Sequence, residues 1–549
     1  MSIFSQVPTT PIRRSTHRLN HSFKMTGDYG GIYPILAELS FAGDRWSIDL
    51  EQFIRSMPMI APVMDMVDVK VDAFFCPIRL VWDDFEDFLT LGMTGEGSFD
   101  WPTITRAIYT PSDPAIVKEL NSVFGTGGLA DYLNFPSYNW SQGVGGTRTL
   151  DAIPFRVYQT IWNEYYRNEN LDSEIIVKHS SGDTLIARLT GNGTNYSDFF
   201  IRYRGWNKDY FTSALPFPQK GPAVRLPNSD VVITADPDEP LSFTATGQGT
   251  VSPTDDPHNI TSVINGVSGN TASGDLLLTT EDGLYRYLNY DGGLKAATSF
   301  APTIEELRYA ECLQEYYEAS ARGGSRPKEY YLNIWHTRTK DARLDRPEYL
   351  GGYRGPVTIT DVDQTSQSDI SAQATPAGKG ISAGGNRVVR YRCPEHGYFM
   401  ILVSVVPRSS YCQGFRKQNL YRDPFDFPNP FFANLGEQEI KNLEIYDDPS
   451  DGLNDGTFGY TPRYAEAKFI PSTVHGKLRS NMNYWTLARQ FSSRPNLNSA
   501  FVHINPSEVS RIFPDQENDN DKFVATFYFK IKRSMFLPYW GIPRLIHSV

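Results

Sequence analysis

The chain has 549 residues, 40% hydrophobic and 13% aromatic, with a formal net charge of −11. That length exceeds the roughly 250–300 residues at which one core stops growing, so several domains, or one core with large elaborations, are expected. The acidic balance excludes a protein that coats nucleic acid with its whole surface. The opening residues lack the apolar core of a signal peptide, and the longest apolar run, Tyr398 to Val406, is too short to span a bilayer.

Before Asp28 there is no acid, while Arg13, Arg14, Arg18 and Lys24 are basic and His17 and His21 lie among them. Two readings stand for this arm: a solvated tail, or cations that meet phosphates and release counterions. Phe4, Leu19 and Phe23 beside them would suit anchoring or stacking on single-stranded nucleic acid. Residues 67–73, VDVKVDA, alternate Val67, Val69, Val71 and Ala73 against Asp68, Lys70 and Asp72. That pattern predicts a half-buried strand with one wet face. The acid cluster DDFED (83–87) sits in a frame of Val81, Trp82, Phe85, Phe88 and Leu89, and reads as an amphipathic turn packed through its aromatics. Over 153–170, Val157, Ile161, Trp162 and Tyr165 recur at helical spacing.

Composition shifts at about 226–300, a block rich in Gly, Ser, Thr, Asn and Asp. From Arg225 to Phe300 ten acids face three bases, so most of the net charge resides here. Its tip, TGQGTVSPTDDPHN (246–259), has no aromatic residue. Short strands are expected at 231–234 and 275–280. The block is read either as a disordered linker or as an exposed, locally folded excursion. A helix follows, with Thr303 and Glu306 as a capping box and Gly323-Gly324 as its stop. GYFMILVSVVP (397–407) reads as a fully buried strand. FVATFYFKI (523–531) sets Phe523, Ala525, Phe527, Phe529 and Ile531 on one face, and the end of this run carries Lys530, Lys532 and the adjacent Arg533. These strands lie hundreds of residues apart, so a compact antiparallel fold must carry long insertions.

No motif points to catalysis. H-E-x-x-H and the phosphate-binding G-x-x-x-x-G-K-[ST] are missing from the sequence. His396 and His475 read as core histidines. The four cysteines, Cys76, Cys312, Cys393 and Cys412, are far apart and read as buried free thiols. Asp447, Asp448 and Asp451 form an Asp-rich turn, a pattern common without metal. No catalytic residue, metal or cofactor is assigned.

Several blocks resemble, in order, the major capsid protein of the gokushoviruses, small icosahedral single-stranded DNA phages of the Microviridae. They are FFCPIRLVWDDFEDFL (74–89), DYFTSALPFPQKG (209–221), RPEYLGG (346–352), DQTSQS (363–368), EHGY (395–398), LGEQEI (435–440), FGYTPRYAEAK (458–468) and HGKLRS (475–480). PYWGIPRLI (538–546) agrees more loosely. The resemblance implies a mainly β fold, an eight-stranded antiparallel viral jelly roll with long inserted loops and a few short helices. It divides the chain into an N-terminal arm and inner-surface segment (1–60), first jelly-roll strands with helical insertions (61–225), a surface-protrusion insertion (226–300) and the remaining strands (301–549).

It further implies self-association into an icosahedral shell, enclosed circular single-stranded DNA, other phage structural or scaffolding proteins as partners, and a host receptor. The protein is then a virion component assembled in the bacterial cytoplasm, with no membrane insertion. Candidates for DNA contact are Arg13, Arg14, Arg18 and Lys24 in the arm, together with Lys530, Lys532 and Arg533, whose strand in KIKRSMF (530–536) suits either nucleic acid or an acidic neighbour. Candidates for host attachment are Asp236, Asp238, Glu239, Thr246, Gln248, Asp255, Asp256 and His258. The alternatives are a cytoplasmic carbohydrate-active or carbohydrate-binding β-sandwich protein and a lectin-like module.

Overall fold

The computed structural model describes residues 14–92, 99–105, 114–137, 149–185, 199–224, 303–363, 376–450, 452–514 and 521–540, and the strand segments within 231–298. Chain contacts divide it into two compact units, Gly221–Tyr317 and the remainder, Met1–Lys220 with Glu318–Val549.

The larger unit is organised by nine strands: β1 (Ser15–Arg18), β2 (His21–Gly27), β3 (Tyr33–Ser40), β4 (Arg45–Ser56), β5 (Val67–Pro77), β6 (Glu348–Asp363), β7 (Pro376–Arg392), β8 (Gly397–Pro407) and β9 (Phe523–Met535). Their order is β1–β9–β4–β7–β6–β5–β8–β3, with β2 also on β9, and all pairings are antiparallel. Because β1 and β2 follow one another along the same edge of β9, the sheet is eight positions wide. Strand β6 carries the bend, pairing with β5 through Glu348–Val357 and with β7 through Thr358–Asp363. The curled sheet encloses one core, in which Ile48, Leu50 and Ile54 meet Val69, Val71, Phe399, Ile401, Phe527 and Phe529. This is the expected jelly-roll-like β fold.

Every residue of β8 is buried. Phe399, Ile401, Val403 and Val405 face the curled core, while Tyr398, Met400 and Leu402 join Phe74 and Cys76 in a second cluster with Trp82, Phe155 and Tyr158. The helix over Ile153–Ile161, continued by a π turn over Trp162–Tyr166, supplies part of that cover. In the acid cluster Trp82 and Phe85 are buried and Glu86 and Asp87 exposed, as the amphipathic reading requires, whereas Leu89 of its apolar frame is 50% exposed.

The strand VDVKVDA forms, but its second face is not wet. Asp68 is only 4% exposed and pairs with Arg354 and, at 3.3 Å, with Arg408. Asp72 accepts from Arg204 at 2.7 Å and Tyr166 at 2.9 Å. Lys70 donates to Asn207 at 2.6 Å, and burial, with Arg204 and Arg354 nearby, pushes it down to about 8. Polar alternation here marks ion pairs to distant segments, not solvent. Cys76 and Cys393 are buried thiols, but Cys312 is exposed and Cys412 half-buried.

The helix Ile304–Gly323 begins with the expected capping box, in which the Thr303 amide donates to Glu306 at 2.8 Å and the Glu306 amide to Thr303 Oγ1 at 3.2 Å. It stops at Gly324, whose φ of +90° suits glycine. In the smaller unit, strands at Val231–Ala235 and Leu276–Thr279 fall on the two expected segments. Leu276–Thr279 lies within a five-stranded antiparallel sheet, and Val231–Ala235 pairs with Leu294–Thr298.

Just past β2, Asp28 keeps one carboxylate oxygen buried without a hydrogen-bond partner. Burial, and then Asp521, push its carboxyl up to about 6. A raised folded-state value means that this group's contribution is fully present below the ordinary carboxylate range and is lost as pH rises through about 6. Asp28→Asn is therefore expected to stabilise the protein at neutral pH and to make no difference near pH ~4. Urea melts of both proteins at the two pH values test this, and an equal difference at both refutes it.

Candidate nucleic-acid interface

Strict alternation in β9 and β4 produces a sheet with one buried and one open face. In β9, Phe523, Ala525, Phe527, Phe529 and Ile531 are at most 1% exposed, while Val524, Tyr528, Lys530 and Lys532 face outward. In β4, Trp46, Ile48, Leu50 and Ile54 turn inward, and Arg45, Glu51, Phe53 and Arg55 turn outward. The edge is closed by the N-terminal arm. Ser15–Arg18 runs against Lys532–Met535 in the register Arg18↔Lys532, and His21–Gly27 runs against Phe523–Phe529.

The sequence candidates separate on this frame. Arg13 lies outside the described residues. Arg14 is half-buried and its donors are committed to the main chain, Nη2 to the Gly43 carbonyl at 2.7 Å and Nη1 to that of Ser534 at 3.5 Å. Its guanidinium also lies 3.7 Å over the Phe536 ring. Arg18 is exposed opposite Lys532, and Lys24 is exposed opposite Thr526. Lys530 reaches across to Glu51.

Arg533 does not share this face. It is buried, donating through Nε at 2.9 Å and Nη2 at 2.7 Å to Asp44, with its guanidinium 4.6 Å over Trp46. The period of two along a strand puts neighbours on opposite sides, so adjacency to Lys532 turns Arg533 inward.

Two aromatics that the sequence reading did not single out complete the open face. Tyr528 is 40% and Phe53 42% exposed. Lys530 Nζ lies 5.9 Å from the Tyr528 centroid, and Arg55 lies 5.2 Å from that of Phe53. The signal for them was present in the alternation of 45–56 and 523–535. Cations beside exposed rings on an open sheet face can bind a polyanion and stack unpaired bases without reading sequence.

The host-attachment candidates Asp236, Asp238, Glu239, Thr246, Gln248, Asp255, Asp256 and His258 all lie outside the described residues. In the Asp-rich turn, Asp448 accepts from the amide and hydroxyl of Ser450 at 3.0 and 2.6 Å, and Asn454 bridges it to Asp447, while Asp451 lies outside the described residues. Among the described residues there is no grouping of His, Cys, Asp or Glu suited to a metal.

Blocks far apart in sequence meet in a third cluster, where Tyr210, Phe211, Tyr411, Ile440, Phe458 and Phe501 pack together. There the Tyr210 hydroxyl donates to Glu444 at 2.9 Å, and Leu215 bridges to Tyr460.

A curled, eight-position antiparallel sheet interrupted by long excursions, with one open basic and aromatic face, belongs to the jelly-roll-like β class that viral capsid and lectin domains share. Residues 5–545 match the family model described as "Capsid protein (F protein)". The chain is 30% identical to capsid protein VP1 of Chlamydia phage 1, over 99% of this chain and 97% of the relative. It is also 30% identical to capsid protein VP1 of Bdellovibrio phage phiMH2K (98% and 97% covered) and of Spiroplasma virus 4 (99% and 97%). The chain belongs to this phage capsid protein family, and the resemblance read from the ordered blocks is borne out.

Proposed function

We propose that this protein is the major, non-enzymatic shell subunit of a small icosahedral phage with a circular single-stranded DNA genome. The observation that carries the reading is the match to phage capsid proteins along nearly the whole chain and nearly the whole of each relative. The carbohydrate-binding and lectin alternatives give way to it. In this reading the open face of β1, β2, β9 and β4 turns toward the genome. The excursion at 226–300 rises from the shell as a spike for host attachment, and assembly takes place in the bacterial cytoplasm with other phage structural or scaffolding proteins.

Contacts between copies need rigid surfaces that remain apolar in the free subunit. DPFDFPNPFF (423–432) supplies one. Phe425 is 75%, Phe427 60% and Phe431 92% exposed, and Leu435 follows at 61%. The loop is held by two short 3₁₀ turns, one with an Asp423–Asp426 capping box and one in which Asn429 accepts from the Phe431 amide. Rings held out in water by a fixed backbone suit an interface core.

Sedimentation and electron microscopy of the protein from producing bacteria test the reading. Uniform spherical particles with nuclease-protected single-stranded DNA are expected. Phe425→Ala with Phe431→Ala is expected to leave subunit stability within about 0.5 kcal/mol, as for exposed sites, while emptying the fast fraction. A slow monomer or small oligomer from the unaltered protein, with the other phage proteins present, would sink the shell assignment.

A further inference from the structure

At one end of the open face, strand pairing brings together cations that the sequence scatters over more than 500 positions. One row across the sheet runs Arg18, Lys532, Ser47, Arg390, and the next runs Thr16, Ser534, Arg45, Arg392. Arg18 stands directly opposite Lys532, and Arg45 directly opposite Arg392. All five cations are exposed, and none forms an ion pair among the described residues. The neighbouring row behaves differently. There Lys530 is matched by Glu51, and Arg387 by Asp49 at 3.3 Å.

Like charges directly opposite each other across a ladder destabilise a sheet. Two such pairs side by side, with no acid among them, oppose folding of the free subunit and favour whatever anion fills the space between. That space is a shallow groove of about 420 Å³ lined by Thr16, Arg45, Ser47, Arg390, Arg392 and Lys532.

We propose that this groove is a binding tract for the sugar–phosphate backbone of single-stranded nucleic acid, with Arg45, Arg390 and Arg392 as contact residues alongside Arg18 and Lys532. The proposal rests on the shell reading above and adds residues of β4 and β7 to it. Strands about 4.8 Å apart, and the roughly 6.7 Å between Arg390 and Arg392 along β7, present cations at a spacing suited to successive phosphates. Guanidinium forks grip phosphate oxygens in pairs, and Ser47, Ser534 and Thr16 offer hydroxyl donors between them. An acidic polypeptide is the weaker fit, because the exposed side chains lining the groove are cations and a threonine, while the aromatic residues in its lining, Trp46 and Tyr391, are buried and half-buried. Tyr528 and Phe53 continue the same face as base platforms.

The test uses the full-length protein with a labelled oligothymidylate and with polyglutamate, titrated over a range of salt. Arg390→Gln with Arg392→Gln is expected to weaken oligothymidylate binding and to make the log–log salt slope shallower by about 1.4, two contacts at roughly 0.7 each. The same variant should melt no lower than the unaltered protein, since it removes the repulsion between Arg45 and Arg392, whereas a merely structural role predicts a lower melting point. Arg387→Gln, whose charge is matched by Asp49, should leave the slope unchanged.

An unaltered slope in the double variant overturns the tract. So does polyglutamate binding as tightly as oligothymidylate and being lost in the same variant, which would assign the groove to an acidic protein. Either result, obtained while the unaltered protein still assembles into particles, leaves the shell reading standing. Failure of the unaltered protein to assemble falls on the shell reading instead.

Discussion

Replacing Asp44 with alanine is expected to lower the stability of the folded body by about 3–5 kcal/mol, the usual consequence of leaving a buried charge without its partner. Asp44 is 1% exposed in the turn between β3 and β4. Its Oδ2 accepts from Arg533 at 2.9 and 2.7 Å and from the Phe41 amide at 3.1 Å, so its removal orphans a buried guanidinium and a turn amide together. The guanidinium is also packed against rings, with Trp46 and Phe41 4.6 and 5.1 Å from it, and Arg533 is only 7% exposed. Urea unfolding followed by tryptophan fluorescence measures the loss. Adding Arg533→Met to Asp44→Ala should recover much of it, since two apolar groups can replace a buried ion pair at little cost. A single variant within about 0.5 kcal/mol of the unaltered protein, the range of ordinary surface changes, would show that the pair is not the clamp described. The clamp matters for the interface because it fixes the end of β9 on which Lys532 stands opposite Arg18.

The framework strands were legible because their signal is local. The alternation in 523–531 and the unbroken apolar run 397–407 reappear as β9 and β8 with the expected faces. The wet face assigned to Asp68, Lys70 and Asp72 failed because its cover comes from Arg204, Arg354 and Arg408, residues that no window around position 70 contains. The open face was half legible for the same reason. Arg18, Lys24, Lys530 and Lys532 could be picked out as clustered cations, whereas Arg45, Arg390 and Arg392 join them only through pairing between strands hundreds of residues apart. Arg533 was within reach of the sequence. Applying the two-residue period to KIKRSMF turns it away from Lys532, to the face where Phe529 and Ile531 are buried.

Deleting residues 231–298 is expected to leave a soluble subunit that still forms particles but no longer adsorbs to host cells. The strands define the cut. A smaller deletion of about 240–270 would remove Phe243–Ala245, Thr250–Val251 and Gly266–Gly269, three members of the five-stranded sheet, and expose the edges of the rest. The wider cut removes whole strands and leaves no open ladder. Its ends also meet, because Val231 is the register partner of Thr298 in the antiparallel pair with Leu294–Thr298. Residues paired across such a ladder are about 5 Å apart, so a short Gly-Ser linker closes the gap with little loop entropy. Adsorption of particles carrying the deletion should fall to the level seen with non-host bacteria, with thermal melting of the remaining body unchanged. Loss of soluble protein would count against an independent excursion, and undiminished adsorption would move receptor binding to another part of the shell surface.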